Sequence, residues 1–309
     1  MLNICFMGTP KFAVQTLDIL YNDENFDVKL VVSGKDKKRS RNKVTPTEIK
    51  KYATDHGLNV VTPDSVNTEE FVNELEKLEI DFIVVVAFGQ LIGSLLLEKF
   101  NDRIINLHPS ILPKYRGAAP MQFTLLNGEK QTSPTTMLIE KGMDSGDILM
   151  QEIVDVDIND NYYSLEEKMS EYGSRAIRDT LINFDELYKN RIKQNHDEAT
   201  FTKKITKEMG KINWNDDSPT IYNQIRALID YPTAYFAYED KNVKVLEAEI
   251  IDSYDPNPGY VYEADSKKGI IIGTRDSAIK INRLQFPGKK AMDTKAFLMG
   301  NDFEKGITL

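Results

Sequence analysis

Apolar positions along the first part of the chain follow two alternating spacings. Compact apolar runs at residues 2–7, 26–32, 58–61 and 80–87 have the length and β-branched content of strands. Between them Phe12, Val14, Leu17 and Leu20, and later Phe71, Leu75 and Leu78, recur at the spacing of one helical face, while a helix from Thr45-Pro46-Thr47-Glu48 to about Gly57 is read from its start and stop residues. Residues 103–108 predict another strand, 118–127 a helix, 133–140 a strand and 148–156 an antiparallel strand. A long helix is predicted over 164–187, with Leu165, Met169, Ile177 and Leu181 on its apolar face. Strands alternating with helices predict an α/β fold with a Rossmann-like, mostly parallel sheet. The run Phe82-Ile83-Val84-Val85-Val86, apolar on both faces, belongs in the middle of such a sheet.

Beyond residue 189 the pattern changes. Residues 190–206 are polar and read as a linker, with His196 exposed in it. Residues 207–309 hold a helix through Ile221, Ile225 and Leu228, then short alternating runs at 243–251, 259–263, 269–272 and 278–286. Turns at Pro256-Asn257-Pro258-Gly259 and Pro287-Gly288 separate them, which predicts a small β-barrel. The division is therefore 1–189, a linker 190–206, and 207–309.

The stretch from Asn106 to Gly117 carries the candidate chemistry. If Asn106-Leu107-His108 continues the preceding strand, its period of two puts the amide and the imidazole on one face. They would stand at a strand's carboxyl end, the edge where open α/β sheets bind ligands. Pro109 and Pro113 then break the strand. The acidic loop Glu140 to Asp147 offers Asp144 as a carboxylate to orient the histidine.

Composition narrows the picture. The chain has 309 residues, 41% hydrophobic and 28% charged, ordinary for a soluble globular protein. Its net charge of −9 argues against nonspecific nucleic-acid binding, and all of it falls on the first 200 residues. Cys5 is alone and inside an apolar run, so it reads as core. One cysteine and three scattered histidines give no metal site. With no basic-then-apolar start and no membrane-length apolar run, the expectation is a cytoplasmic protein. The Gly8-Thr9-Pro10 turn is no dinucleotide fingerprint, and the second strand ends in Val32-Ser33-Gly34-Lys35 rather than in an acidic residue, which counts against NAD.

Asn106, His108, Ser110-Ile111-Leu112-Pro113, Tyr115-Arg116-Gly117 and Asp144-Ser145-Gly146 together resemble the pattern of the folate-dependent formyltransferases. Ile225-Arg226-Ala227 and the run from Leu284 to Lys290 extend the resemblance over nearly the whole chain, toward the branch that acts on initiator methionyl-tRNA. The resemblance implies an OB-like fold for residues 207–309. It implies 10-formyltetrahydrofolate as co-substrate, with its pterin against Phe88, Gly89, Gln90, Leu91 and Ile92 and beside Ser110, Ile111, Leu112 and Pro113. It assigns catalysis to Asn106, His108 and Asp144 without a metal. The acid–base expectation is that His108 donates an N–H, best when protonated, and that Asp144 favours that protonated form and accepts the amine's proton directly or through water.

Residues 35–43 form a basic loop that composition alone reads as solvated. Its match in position to a tRNA-binding insertion makes Lys35, Lys37, Lys38, Arg39, Arg41 and Lys43 candidate phosphate contacts. Lys203, Lys204, Lys207, Lys289 and Lys290 join them as candidates, each by itself an ordinary solvated lysine. The expected assembly is a monomer. Rival readings are a formyltransferase for an amino sugar nucleotide or other small amine, a formyl-folate hydrolase, and a noncatalytic folate- or RNA-binding relative. A glycinamide formyltransferase would leave residues 201–309 without a purpose. Ser133-Pro134, where the family has Gly-Val, leaves the start of the adjoining strand open.

Overall fold

In the computed structural model, residues 1–38 and 44–309 are described. Arg39, Arg41 and Lys43 lie outside the described residues. The chain divides into two compact units: Met1–Gly117, Gln131–Asp155 and Glu166–Phe201 form one; Ala118–Lys130, Val156–Leu165 and Thr202–Leu309 form the other.

The first unit is built on a seven-stranded sheet. In spatial order its strands are Ile148–Gln151, Thr135–Leu138, Ile104–His108, Phe82–Val86, Leu2–Gly8, Phe26–Val32 and Val60–Val61. The last five run parallel; Thr135–Leu138 is antiparallel to both of its neighbours. Strand order reverses direction between Leu2–Gly8 and Phe82–Val86, and a crevice for ligands opens at the carboxyl ends of such a pair. Every residue of Phe82–Val86 is buried, as its unbroken apolar run requires. Each such side chain contributes about 1.5–3 kcal/mol by leaving water.

The helices begin where the sequence supplies caps. Thr47 and Thr68 accept from the backbone N–H groups of Lys50 and Phe71 and start the helices Glu48–Asp55 and Glu69–Lys77. The long helix predicted over 164–187 is instead two, Tyr162–Ile182 and Phe184–Lys189. Asn183 breaks it, leaving helical geometry (φ −105°, ψ 24°) while its side-chain amide donates to the carbonyl of Asp179. Within the first unit the long helix comes very close to the sheet at Gly173. A Cβ there would stand 2.7 Å from Leu107 Cδ2, so Leu107 points toward this helix. Asn106 and His108, one position either side, must point the other way.

The second unit carries an antiparallel sheet in the order Ala234–Tyr238, Lys241–Ile251, Ala278–Gln285, Gly269–Gly273, Val261–Asp265, with Met292–Asp293 also paired to Ala278–Gln285. Its core gathers Trp214, Ile221, Ile225, Phe236, Val245, Ile272, Ile281 and Phe303. This antiparallel unit is consistent with the OB-like expectation. Among the described residues no helix is long and apolar enough to cross a membrane.

Candidate active site

Asn106 and His108 sit on the strand Ile104–His108, whose last residues pair with Thr135 and Met137 on one side, while Asn106 pairs with Val85 on the other. Pro134 lies just ahead of the strand Thr135–Leu138, where its missing N–H removes no bond from the sheet. The Ser133-Pro134 variation therefore leaves the Thr135–His108 pairing intact.

His108 is buried, 4% exposed. Its Nε2 stands 3.0 Å from the carbonyl oxygen of Tyr115, and a carbonyl only accepts. The neutral ring therefore carries its proton on Nε2 and keeps a lone pair on Nδ1. That nitrogen faces Asp144 Oδ2 at 3.7 Å. The same Oδ2 accepts from the Gly117 N–H at 2.7 Å. Asn106 is half-buried, and its side chain makes no hydrogen bond among the described residues, so both its amide N–H donors are free for a ligand.

The backbone is bent hard around this pair. Tyr115 and Asp144 both take left-handed conformations, φ 61° and 47°. Such geometry costs of order 1 kcal/mol or more for a residue like tyrosine. Tyr115 is held there because its N–H donates to Thr200 Oγ1 at 2.8 Å, while the Arg116 N–H donates to the Thr200 carbonyl at 2.9 Å. Gly146 closes the Asp144 loop against the sheet: a Cβ on it would lie 2.0 Å from the Leu138 carbonyl oxygen.

Burial pulls the His108 pKa below its ordinary value, and this outweighs the upward pull of the Asp144 carboxylate and the Tyr115 carbonyl. The Arg116 charge adds to the lowering. Asp144 thus favours the protonated ring, as expected, but burial outweighs it: the ring rests neutral, and Asp144 stands ready to stabilise a proton once it arrives. With only three histidines in the chain, ring NMR titration can follow His108 directly. It should titrate below the ordinary value of about 6.5, and lower still in Asp144→Asn, which removes the attraction for the proton. A His108 value above that of a free histidine, or a rise in the variant, would sink this reading. The sign carries to stability: the unfolded chain binds this proton more readily than the folded one, so stability falls as pH drops below about 6.5, down to the folded pKa.

The turn after Val86 lies beside the switch point. Ala87 is left-handed (φ 47°) and Gly89 has φ 89°, a conformation that glycine adopts without strain. Thr9 Oγ1, from the neighbouring strand's end, donates to the Phe88 carbonyl at 2.7 Å. The structure places Phe88 and Ile92 in the apolar core beside Val85, whereas Leu91 is 83% exposed. Gln90 bonds the backbone of Val66 and Pro63. Ser110 is buried and donates to the Lys114 carbonyl; Leu112 packs on Met137 and Ile148, with Ile111 and Pro113 half-buried beside it. Lys35 pairs with Asp64. Lys37 and Lys38 form a short strand paired with Val44–Thr45. Lys203, Lys204, Lys207, Lys289 and Lys290 are exposed on the second unit. Among the described residues no three His, Cys, Asp or Glu groups gather as a metal site.

One buried side chain at the site has no counterpart in the sequence reading. Gln194, in the polar stretch 190–206, is buried and bonds Arg116 and the backbone of the Asp144 loop. Nothing in its polar surroundings distinguishes it from the exposed residues on either side. His196 is exposed, as expected, yet its Nδ1 lies 3.1 Å from Arg116 Nη2.

Residues 2–181 match the family described as formyl transferase, and residues 204–302 match formyl transferase, C-terminal domain. A methionyl-tRNA formyltransferase of Finegoldia magna is 43% identical over 307 residues, 99% of either chain. Another of Clostridium acetobutylicum is 39% identical over the full length of both. The fold is shared with an N-formyltransferase of Helicobacter canadensis solved with folinic acid and dTDP-3-aminofucose (TM-score 0.65, 23% identity, covering 91% of this chain and 99% of that one). It is shared also with HypX of Aquifex aeolicus in complex with tetrahydrofolic acid (TM-score 0.61, 19% identity, 96% and 46%). The chain belongs to the formyl transferase family and, within it, to the methionyl-tRNA formyltransferases.

Proposed function

We propose that this enzyme moves the formyl group of 10-formyltetrahydrofolate onto the methionyl amine of initiator tRNA, with Asn106, His108 and Asp144 carrying the chemistry. The observation that carries the proposal is the pair made by the His108 lone pair and the Asp144 carboxylate, 3.7 Å apart, beside the free amide of Asn106.

The reaction makes one C–N bond to the amine, breaks one C–N bond to the folate nitrogen, and moves one proton from amine to folate. Asn106 donates an N–H to the formyl oxygen as negative charge builds on it. His108 Nδ1 receives the proton that the attacking amine gives up. The imidazolium so formed lies between two acceptors, the Tyr115 carbonyl and the Asp144 carboxylate, which stabilise it. His108 then returns the proton to the departing nitrogen. A ring that rests neutral suits this role, because a protonated one has no lone pair to offer. Phe88, Gly89, Gln90, Leu91 and Ile92, together with Ser110, Ile111, Leu112 and Pro113, are proposed to line the folate's place. The turn at 87–92 adjoins the topological switch point, which supports the assignment.

Residues 35–43 and the exposed lysines of the second unit are proposed to meet tRNA phosphates. Full-length likeness to methionyl-tRNA formyltransferases favours this substrate over a small amine. The test is a competition in which charged initiator tRNA and an amino sugar nucleotide are offered together with the formyl donor. Formylation of the tRNA is expected to dominate; preferred transfer to the sugar would overturn the substrate assignment while leaving the catalytic one standing.

A further inference from the structure

We infer that Gln194 is a positioning residue for the formyl transfer, holding Asp144 against His108. This inference rests on the catalytic role proposed for Asp144. The residue lies between the two segments that match the family, 2–181 and 204–302. It is buried, and its side-chain amide uses its full bonding capacity. Nε2 donates to the carbonyls of Asp144 at 2.9 Å and Gly146 at 2.7 Å. Oε1 accepts from Arg116 Nε at 3.0 Å and Nη2 at 2.7 Å.

Each partner leads to the acid–base pair. The two carbonyls belong to the loop that carries the Asp144 carboxylate. Arg116 precedes Gly117, whose N–H donates to that carboxylate, and follows Tyr115, whose carbonyl accepts from His108. One amide thus ties together the two segments that set the spacing of Nδ1 and Oδ2. The loop needs such a tie, because Asp144 is in a left-handed conformation that it would leave if released. Only an amide serves here: two carbonyls need a double donor, and a guanidinium needs an acceptor on the same group. A glutamate would keep Arg116 and lose both loop bonds. A methionine of similar length would lose all four.

Gln194→Glu is therefore the discriminating variant, since it keeps a partner for the buried Arg116 while releasing the loop. Its kcat should fall at least tenfold, with KM for tRNA and for the formyl donor changed less than threefold, because a displacement near 1 Å costs about a hundredfold in rate. Gln194→Met should fall further and should lower the His108 titration, as Asp144→Asn does, by moving the carboxylate away. The decisive measurement is the double variant: in an Asp144→Asn background, Gln194→Glu should cost less than threefold more, because the group it positions is already gone. A wild-type kcat in Gln194→Glu overturns the inference. So does a penalty of the same size in both backgrounds, which would mark a general structural role. Full activity in Asp144→Asn alone would overturn the catalytic assignment instead, so the two failures are distinguishable. Circular dichroism and thermal unfolding confirm that each variant compared is folded; should Gln194→Met not fold, Gln194→Glu and the double variant still decide.

Discussion

Asp144→Asn is expected to slow formylation about a thousandfold in kcat/KM, roughly 4 kcal/mol of transition-state stabilisation. The substitution keeps the side chain's shape, so the Gly117 N–H still finds an oxygen. That same oxygen faces His108 Nδ1, so what the substitution removes there is the negative charge that would stabilise the protonated base. His108→Ala removes the proton acceptor outright and should cost a similar factor. Asn106→Ala removes a donor to the formyl oxygen, worth about a hundredfold or more. Single-turnover formylation of charged initiator tRNA measures all three without interference from product release. Rates near wild type in the three variants would take the chemistry away from this strand end.

Gly146→Ala should be nearly as damaging, though residue 146 offers no functional group. The added methyl would sit 2.0 Å from the Leu138 carbonyl oxygen and 2.9 Å from its carbon. Both atoms are backbone of a strand held on both sides, and Leu138 itself pairs with Ile105. The strand cannot yield, so the loop must. Moving it breaks the Gln194 bond to Gly146 and carries Asp144 away from His108. A loss of about a hundredfold in kcat is expected, for the displacement alone. Gly300→Ala makes a fair control, since nothing lies within 4 Å of the Cβ it would add. Equal rates for the two alanine variants would mean that the loop accommodates the methyl without moving the carboxylate.

Much of this site was legible in the chain because it depends on short-range periods. A strand alternates sides, so Asn106 and His108 had to share a face once Arg103-Ile104-Ile105 was read as strand. That the sheet is mostly parallel followed from the helices between its strands. Three things were not legible. The direction of the His108 shift depends on burial, and burial is set by elements far along the chain. The break at Asn183 depends on one side chain competing for a carbonyl inside an otherwise periodic stretch. Gln194 depends on tertiary partners alone: Lys193, Asn195 and Asp197 around it are exposed, and a polar run shows no period that marks its one buried member.

The tethers that complete the site are distant in sequence: 85 positions separate Tyr115 from Thr200, and 78 separate Arg116 from Gln194. Contacts of such span form late, after the entropy of closing long loops has been met. During synthesis the sheet strands through Gln151 can pair while the acid–base pair still lacks its fastenings. Competence for catalysis should therefore trail the folding of the sheet, arriving only when the residues around 194–201 have left the ribosome.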